Sequence, residues 1–101
     1  MNDLIFDWDK SKALLNKKKH GISFEEAVTV FYDDDAIEIH DPDHSEDEDR
    51  FIILGLSYKI RTIVVNHCLR ESGSLIRIIS ARKATKLEAK TYWRKSHESR
   101  I

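Results

Sequence analysis

At 101 residues, with 41% hydrophobic and 35% charged side chains, the chain has apolar material for one core. It has none for a membrane span, because no stretch approaches the ~20 apolar residues that a spanning helix needs. One cysteine, Cys68, excludes an internal disulfide and a metal site built on several thiolates. The net charge of −1 hides a division: residues 1–50 carry 6 Lys and Arg against 15 Asp and Glu, whereas residues 51–101 carry 11 against 3. Charges this dense stay in water. Sorted this way, they give one surface a positive field, and a polyanion such as RNA responds to such a field. The length sets a single domain over residues 1–101, and Met1-Asn2-Asp3 lacks the basic and apolar regions of a secretion signal, so the expected location is cytoplasmic.

Leu4, Phe6 and Trp8 alternate with acids and predict a short strand. Asp9 is an N-cap for a helix over Lys10–His20, in which Ala13 and Leu14 are expected to face the core. Lys17, Lys18 and Lys19 suit the negative end of its dipole, and Gly21 is its left-handed stop. Ser23-Phe24-Glu25-Glu26 spells a capping box, with Ile22 and Ala27 as the flanking apolar pair. Phe24, Ala27, Val28 and Phe31 form the buried stripe of the second helix, which Asp33-Asp34-Asp35 ends. Residues 36–40 alternate as a strand, and Asp41-Pro42-Asp43-His44-Ser45 is turn chemistry leading into an acidic loop. Three strands follow over 51–56, 60–67 and 75–81, joined by hairpin-length loops, and a helix over about 84–96 closes the chain. The order β-α-α-β-β-β-β-α predicts an α+β fold: a small antiparallel sheet with its helices on one side.

The clearest functional pattern is in the last helix. Lys83, Lys86, Lys90 and Arg94 are spaced to line one face, with few acids nearby to balance them. A solvated, lysine-rich surface accounts for such a stripe, and so does a phosphate backbone or an acidic partner. Arg77 and Arg82 lie in or just after an apolar strand, where a planar guanidinium suits bidentate phosphate or carboxylate contacts and equally suits a snorkelling edge residue. His67, at a strand end, is a candidate proton donor or acceptor, as is His20 beside Lys19; either is also explained by simple hydrogen bonding. His40 and His44 with Asp41 and Asp43 have no spacing that fixes metal ligands. Gly-rich phosphate loops and the Gly-x-Ser-x-Gly and His-Glu-x-x-His motifs are missing.

The residues resemble the BrnT-type toxins of bacterial type II toxin–antitoxin modules. The resemblance runs through Phe6-Asp7-Trp8-Asp9, Lys12, Asn16, Lys19-His20-Gly21 and Ser23-Phe24-Glu25-Glu26-Ala27. It continues through His44-Ser45, Arg50-Phe51 and Gly55-Leu56-Ser57, and ends in Ile76 to Thr85 with Glu88 and Tyr92. It covers residues 4–93; a longer loop at Leu69–Gly73 and a basic tail from Lys95 depart from the pattern.

This resemblance implies a RelE-like fold and an RNA-cleaving toxin that blocks translation without metal or other cofactor. It also implies a BrnA-like ribbon-helix-helix antitoxin, with operator DNA bound only through the complex. In that picture the RNA 2′-hydroxyl attacks the adjacent phosphate, and the protein aligns the strand, neutralises charge and moves protons. Arg77 and Arg82 are then expected to clamp phosphate, His67 to act as acid or base, and Glu88 and Tyr92 to assist. Lys19, His20, Lys83, Lys86, Lys90 and Arg94 are expected to bind RNA. The alternatives are a non-catalytic co-repressor that binds antitoxin or nucleic acid, and a partnerless nucleic-acid-binding domain. The acidic run Asp33–Asp49 is expected to lie away from the basic face.

Overall fold

The computed structural model describes residues 4–41 and 49–98. The elements are β1 (Ile5–Asp7), α1 (Lys10–His20), α2 (Phe24–Val30), β2 (Ile37–His40), β3 (Arg50–Leu56), β4 (Thr62–Arg70), β5 (Leu75–Lys83) and α3 (Lys86–Glu98), with a short 3₁₀ turn at Glu71–Gly73 between β4 and β5.

Both early helices begin and end where their local chemistry dictates. The Asp9 carboxylate accepts from Lys12 N–H at 3.1 Å, and Gly21 closes α1 in the left-handed region, its N–H donating to Lys17 C=O at 2.8 Å. Ser23 Oγ accepts from Glu26 N–H at 3.0 Å. The other half of the expected capping box does not form. The Glu26 carboxylate turns instead to Arg61 Nε and Ser57 Oγ, both at 2.7 Å. It is fully buried, and a buried carboxylate demands a cation and several donors.

The five strands form one sheet in the order β1-β5-β4-β3-β2. The expected antiparallel sheet is corrected here: β1 pairs in parallel with β5, and the other three pairings are antiparallel. The chain leaves β1 through two helices and returns to its neighbour only at the end, and such a crossover permits a parallel pair. Ile53, Ile63, Val65, Ile76, Ile78 and Ala81 point to the face that Phe24, Ala27 and Val30 of α2 cover. Gly55 sits on that face because a Cβ there would lie 2.8 Å from Val30 Cγ1 and 3.1 Å from Ala36 Cβ. Ala13 packs on this core, but Leu14 is 74% exposed, contrary to expectation.

The helices do not all lie on one side. Leu87, Glu88 and Thr91 of α3 face Ile37, Ile39, Ile52, Leu54 and Val64, the strand positions that alternate with the core set. The helix is tethered at its middle by Tyr92 Oη, which donates to Asp33 Oδ2 at 2.7 Å, and near its end by Ser96 Oγ, which donates to Asp35 Oδ2 at 3.1 Å. α3 therefore roofs the second face over β2–β4, and among the described residues no helix covers the part of that face around Asn66 and Ser80.

Candidate nucleic-acid cleft

The open part of the second face is reached by a β-bulge. Asn66 pairs with Ser80 but His67 pairs with Ile78, so Ile79 is the extra residue on β5. Beyond the bulge, Ser80 and Arg82 point away from the core, and Ala81 between them points into it. Asn66 Nδ2 donates to Ser80 Oγ at 2.8 Å, which makes a polar floor. A concavity of about 330 Å³ stands on this floor, lined also by Arg82, Arg50, Ile52 and Asp41.

A second hollow of about 210 Å³ shares Ile79 and Ser80 with the first and is walled by Lys12, Leu15, Asn16, Lys19 and His20 of α1. The two hollows adjoin, with Ile79 and Ser80 as their common wall, and together form the candidate cleft. α1 reaches it because β1 pairs with β5 only as far as Arg77, which leaves the edge of β5 beyond that point without a strand. Asn16 fills the gap: its Oδ1 accepts from Ala81 N–H at 3.1 Å and its Nδ2 donates to Ala81 C=O at 2.9 Å. With Asn16 at the sheet edge, Lys12 and Lys19, one turn to either side, stand over Ser80. Among the described residues the cleft thus carries Lys12 and Lys19 at one end and Arg50 and Arg82 at the other, with Asp41 as the one acid in its lining.

Arg82 is held in place. Its Nη1 and Nη2 donate to the two carboxylate oxygens of Glu88 at 2.8 and 3.0 Å. Glu88 Oε1 also accepts from Thr85 N–H at 2.8 Å, and Glu88 N–H donates to Thr85 Oγ1 at 3.1 Å, a capping box at the start of α3. The Arg82 guanidinium first, and the Thr85 amide after it, hold the Glu88 carboxyl down at about 2. With Nη1 also donating to Lys83 C=O at 3.3 Å, both Nη groups are engaged in orientation.

The remaining expected site residues are dispersed. Arg77 lies on the same side of β5 as Arg82, roughly 15 Å further along the strand, and its Nη1 pairs with Asp7 Oδ2 at 3.2 Å. Tyr92 is buried at the tether of α3 and does not line the cleft. Lys83, Lys86, Lys90 and Arg94 are exposed. On α3, Lys86, Lys90 and Arg94 lie nearly opposite Glu88, Tyr92 and Ser96, so they point away from the sheet and its cleft. The reading of His67 as acid or base needs correction on access. It is 0% exposed and lies on the core side of the sheet, against the rings of Phe31 and Phe51. Its Nδ1 lies 3.2 Å from Val65 C=O and its Nε2 3.2 Å from Glu38 Oε1. Close packing in an apolar strand hides this histidine from any substrate.

The acidic run does not all lie away from the basic surface: Asp41 lines the cleft, while residues 42–48, with His44 and Asp43, fall outside the described residues. Among the described residues, no group of three or more His, Cys, Asp or Glu is placed to hold a metal ion, and no helix is long and apolar enough to cross a membrane. The sequence reading gave no site role to Lys12, Arg50, Asn66 or Ser80. Lys12, Arg50 and Ser80 lie inside the runs that carry the family resemblance, and that signal was available.

Residues 8–88 match the sequence model of the family described as "Ribonuclease toxin, BrnT, of type II toxin-antitoxin system". No curated protein matches by sequence search. The fold is similar to the crystal structure of the Brucella abortus ribonuclease toxin BrnT, with a TM-score of 0.56 and 20% identity over 83% of this chain and 100% of that one. The family match spans most of the chain, including α1, β3, β4 and β5, which line the cleft, and the first turn of α3, which orients Arg82. The chain belongs to the BrnT family of type II toxin–antitoxin ribonuclease toxins.

Proposed function

We propose that this chain is a single-domain, RelE-like endoribonuclease that works in the cytoplasm, with the bulge cleft as its active site. The observation that carries the reading is the common wall of the two hollows, Ile79 and Ser80, with lysines of α1 lining one side and Arg50 and Arg82 the other. Cations at both ends of a short trough suit a polyanion threaded through it, with phosphates bound on either side of the floor. Arg82, pre-oriented by Glu88, suits the negative charge that builds on the phosphoryl oxygens as the RNA 2′-oxygen attacks. Asn66 and Ser80 offer neutral hydrogen-bonding groups beneath it. Transfer to the RNA's own 2′-hydroxyl requires alignment, charge and proton movement, and no metal enters the scheme. Arg77 and the outward cations of α3 serve RNA capture outside the trough.

The apolar groove of about 360 Å³ between α3 and β2–β4, where Ile39 and Leu87 are exposed, supports a BrnA-like ribbon-helix-helix antitoxin as partner, with operator DNA reached only through that complex. The same groove is what favours the second reading, a co-repressor without catalysis. Incubating the purified chain and its Arg82→Ala variant with mixed-sequence RNA separates the two. Cleavage by the first and not by the second supports the ribonuclease; intact RNA with both supports the co-repressor.

A further inference from the structure

We propose that His20 is the catalytic residue that takes the proton from the attacking 2′-hydroxyl, an inference that rests on the ribonuclease reading above.

His20 is the last residue of α1 and half-buried, and it lines the cleft beside Lys19 and across from Ser80. Among the described residues neither of its ring nitrogens has a hydrogen-bond partner. His67 is the reverse case, with both nitrogens engaged and no exposure. Among the described residues the titratable side chains lining the trough are Lys12, Lys19, Arg50, Arg82, Asp41 and this histidine, and imidazole is the side-chain class whose ordinary chemistry both takes and gives a proton near neutral pH.

The backbone on both sides of His20 is fixed, as a reacting group needs. Gly21 turns in the left-handed cap at φ 72°, and its C=O accepts from Arg61 Nη2 at 3.1 Å. The next carbonyl, of Ile22, accepts from Asn16 Nδ2 at 2.9 Å. Arg61 is itself locked to Glu26, so the loop that carries the imidazole is braced from α2 and from the β3–β4 hairpin. Among the described residues the charged side chains that line the same hollow are Lys12 and Lys19, cations that draw a phosphate into it.

The step balances within the RNA and water. The imidazole takes the 2′ proton as the O2′–P bond forms. The P–O5′ bond breaks with its electron pair on the 5′-oxygen, which takes a proton from solvent, and the imidazolium returns its own to solvent. The products are a 2′,3′-cyclic phosphate end and a 5′-hydroxyl end.

The test uses the full chain, a labelled mixed-sequence RNA and a fully 2′-O-methylated copy that binds without being cut. His20→Gln and His20→Ala are expected to lose cleavage by ~100-fold or more, to bind the methylated RNA within about threefold of the parent, and to keep its thermal midpoint. Free imidazole is expected to restore part of the cleavage by His20→Ala and none to Arg82→Ala. A parent that cuts while both variants cut within threefold of it overturns the proposal alone, as does a loss of binding equal to the loss of cleavage. A parent that neither binds nor cuts RNA overturns the ribonuclease reading, and this inference falls with it.

Discussion

Asn16 and Ala81 are joined by two hydrogen bonds, of 2.9 and 3.1 Å, in which a helix side chain satisfies both backbone groups of a strand residue at the sheet edge. This pair makes α1 one wall of the cleft. Replacing it with Asn16→Leu strands the N–H and C=O of Ala81 in a buried place and should cost about 2–4 kcal/mol, since each orphaned group costs ~1–3 kcal/mol. Urea denaturation measures that loss. RNA cleavage per folded molecule should fall as well, because Lys12, Lys19 and His20 lose their register against Ser80.

Salt dependence separates the cations inside the trough from those outside. Lys12→Gln and Lys19→Gln should each reduce the slope of log affinity against log salt by ~0.7, the value for one phosphate contact on a single strand. The triple change Lys86→Gln, Lys90→Gln and Arg94→Gln should leave cleavage at saturating RNA within about threefold, since these side chains face away from the cleft.

Arg82→Ala should lower cleavage by about 10²–10³-fold, the usual loss when a donor aimed at developing charge is removed. Glu88→Gln keeps the arginine but weakens its two-pronged hold, so a smaller loss is expected. Single-turnover rates at saturating RNA read both effects.

Stability should depend on acid. Arg61 foremost holds the Glu26 carboxyl below its ordinary 4.5, and Arg82 does the same for Glu88, down to about 2. Each carboxylate favours the folded state while ionised. That contribution is whole above pH 4.5 and drains away as pH falls toward about 2 for Glu88. Thermal midpoints measured across that window should drop for the parent chain and drop less for Glu88→Gln.

His67→Ala should remove about 2–4 kcal/mol of stability, because the ring fills a site between Phe31 and Phe51. Cleavage per folded molecule should stay near that of the parent. A ~100-fold loss of cleavage with an unchanged denaturation midpoint would restore His67 to the active site.

The bounds of α1 and the start of α2 could be read from the chain because Asp9, Gly21 and Ser23 act on amides within three or four residues of themselves. The order of the elements followed from hydrophobic periodicity, which is equally local. The capping box of α3 is as local, in the spacing of Thr85 and Glu88. Arg82 was found because an arginine in an apolar strand stands out, and Lys19 and His20 because they crowd a helix end. His67 looked the same from sequence as a reactive histidine does. Its burial depends on Phe31, Phe51 and Glu38, which lie 16 to 36 positions away in the chain.

By itself, the sequence determined which segments are helix and strand, the polarity of the charge, and the family, since each of these rests on neighbouring residues or on fixed spacings. The tertiary structure alone decided that β1 runs parallel to β5, that α3 crosses to the second face, that Ile79 bulges, and that Lys12 and Arg50 share a trough with Ser80. These are meetings of distant segments. They are set by which apolar faces can be covered together and which edge amides find a partner, and no local pattern encodes that competition.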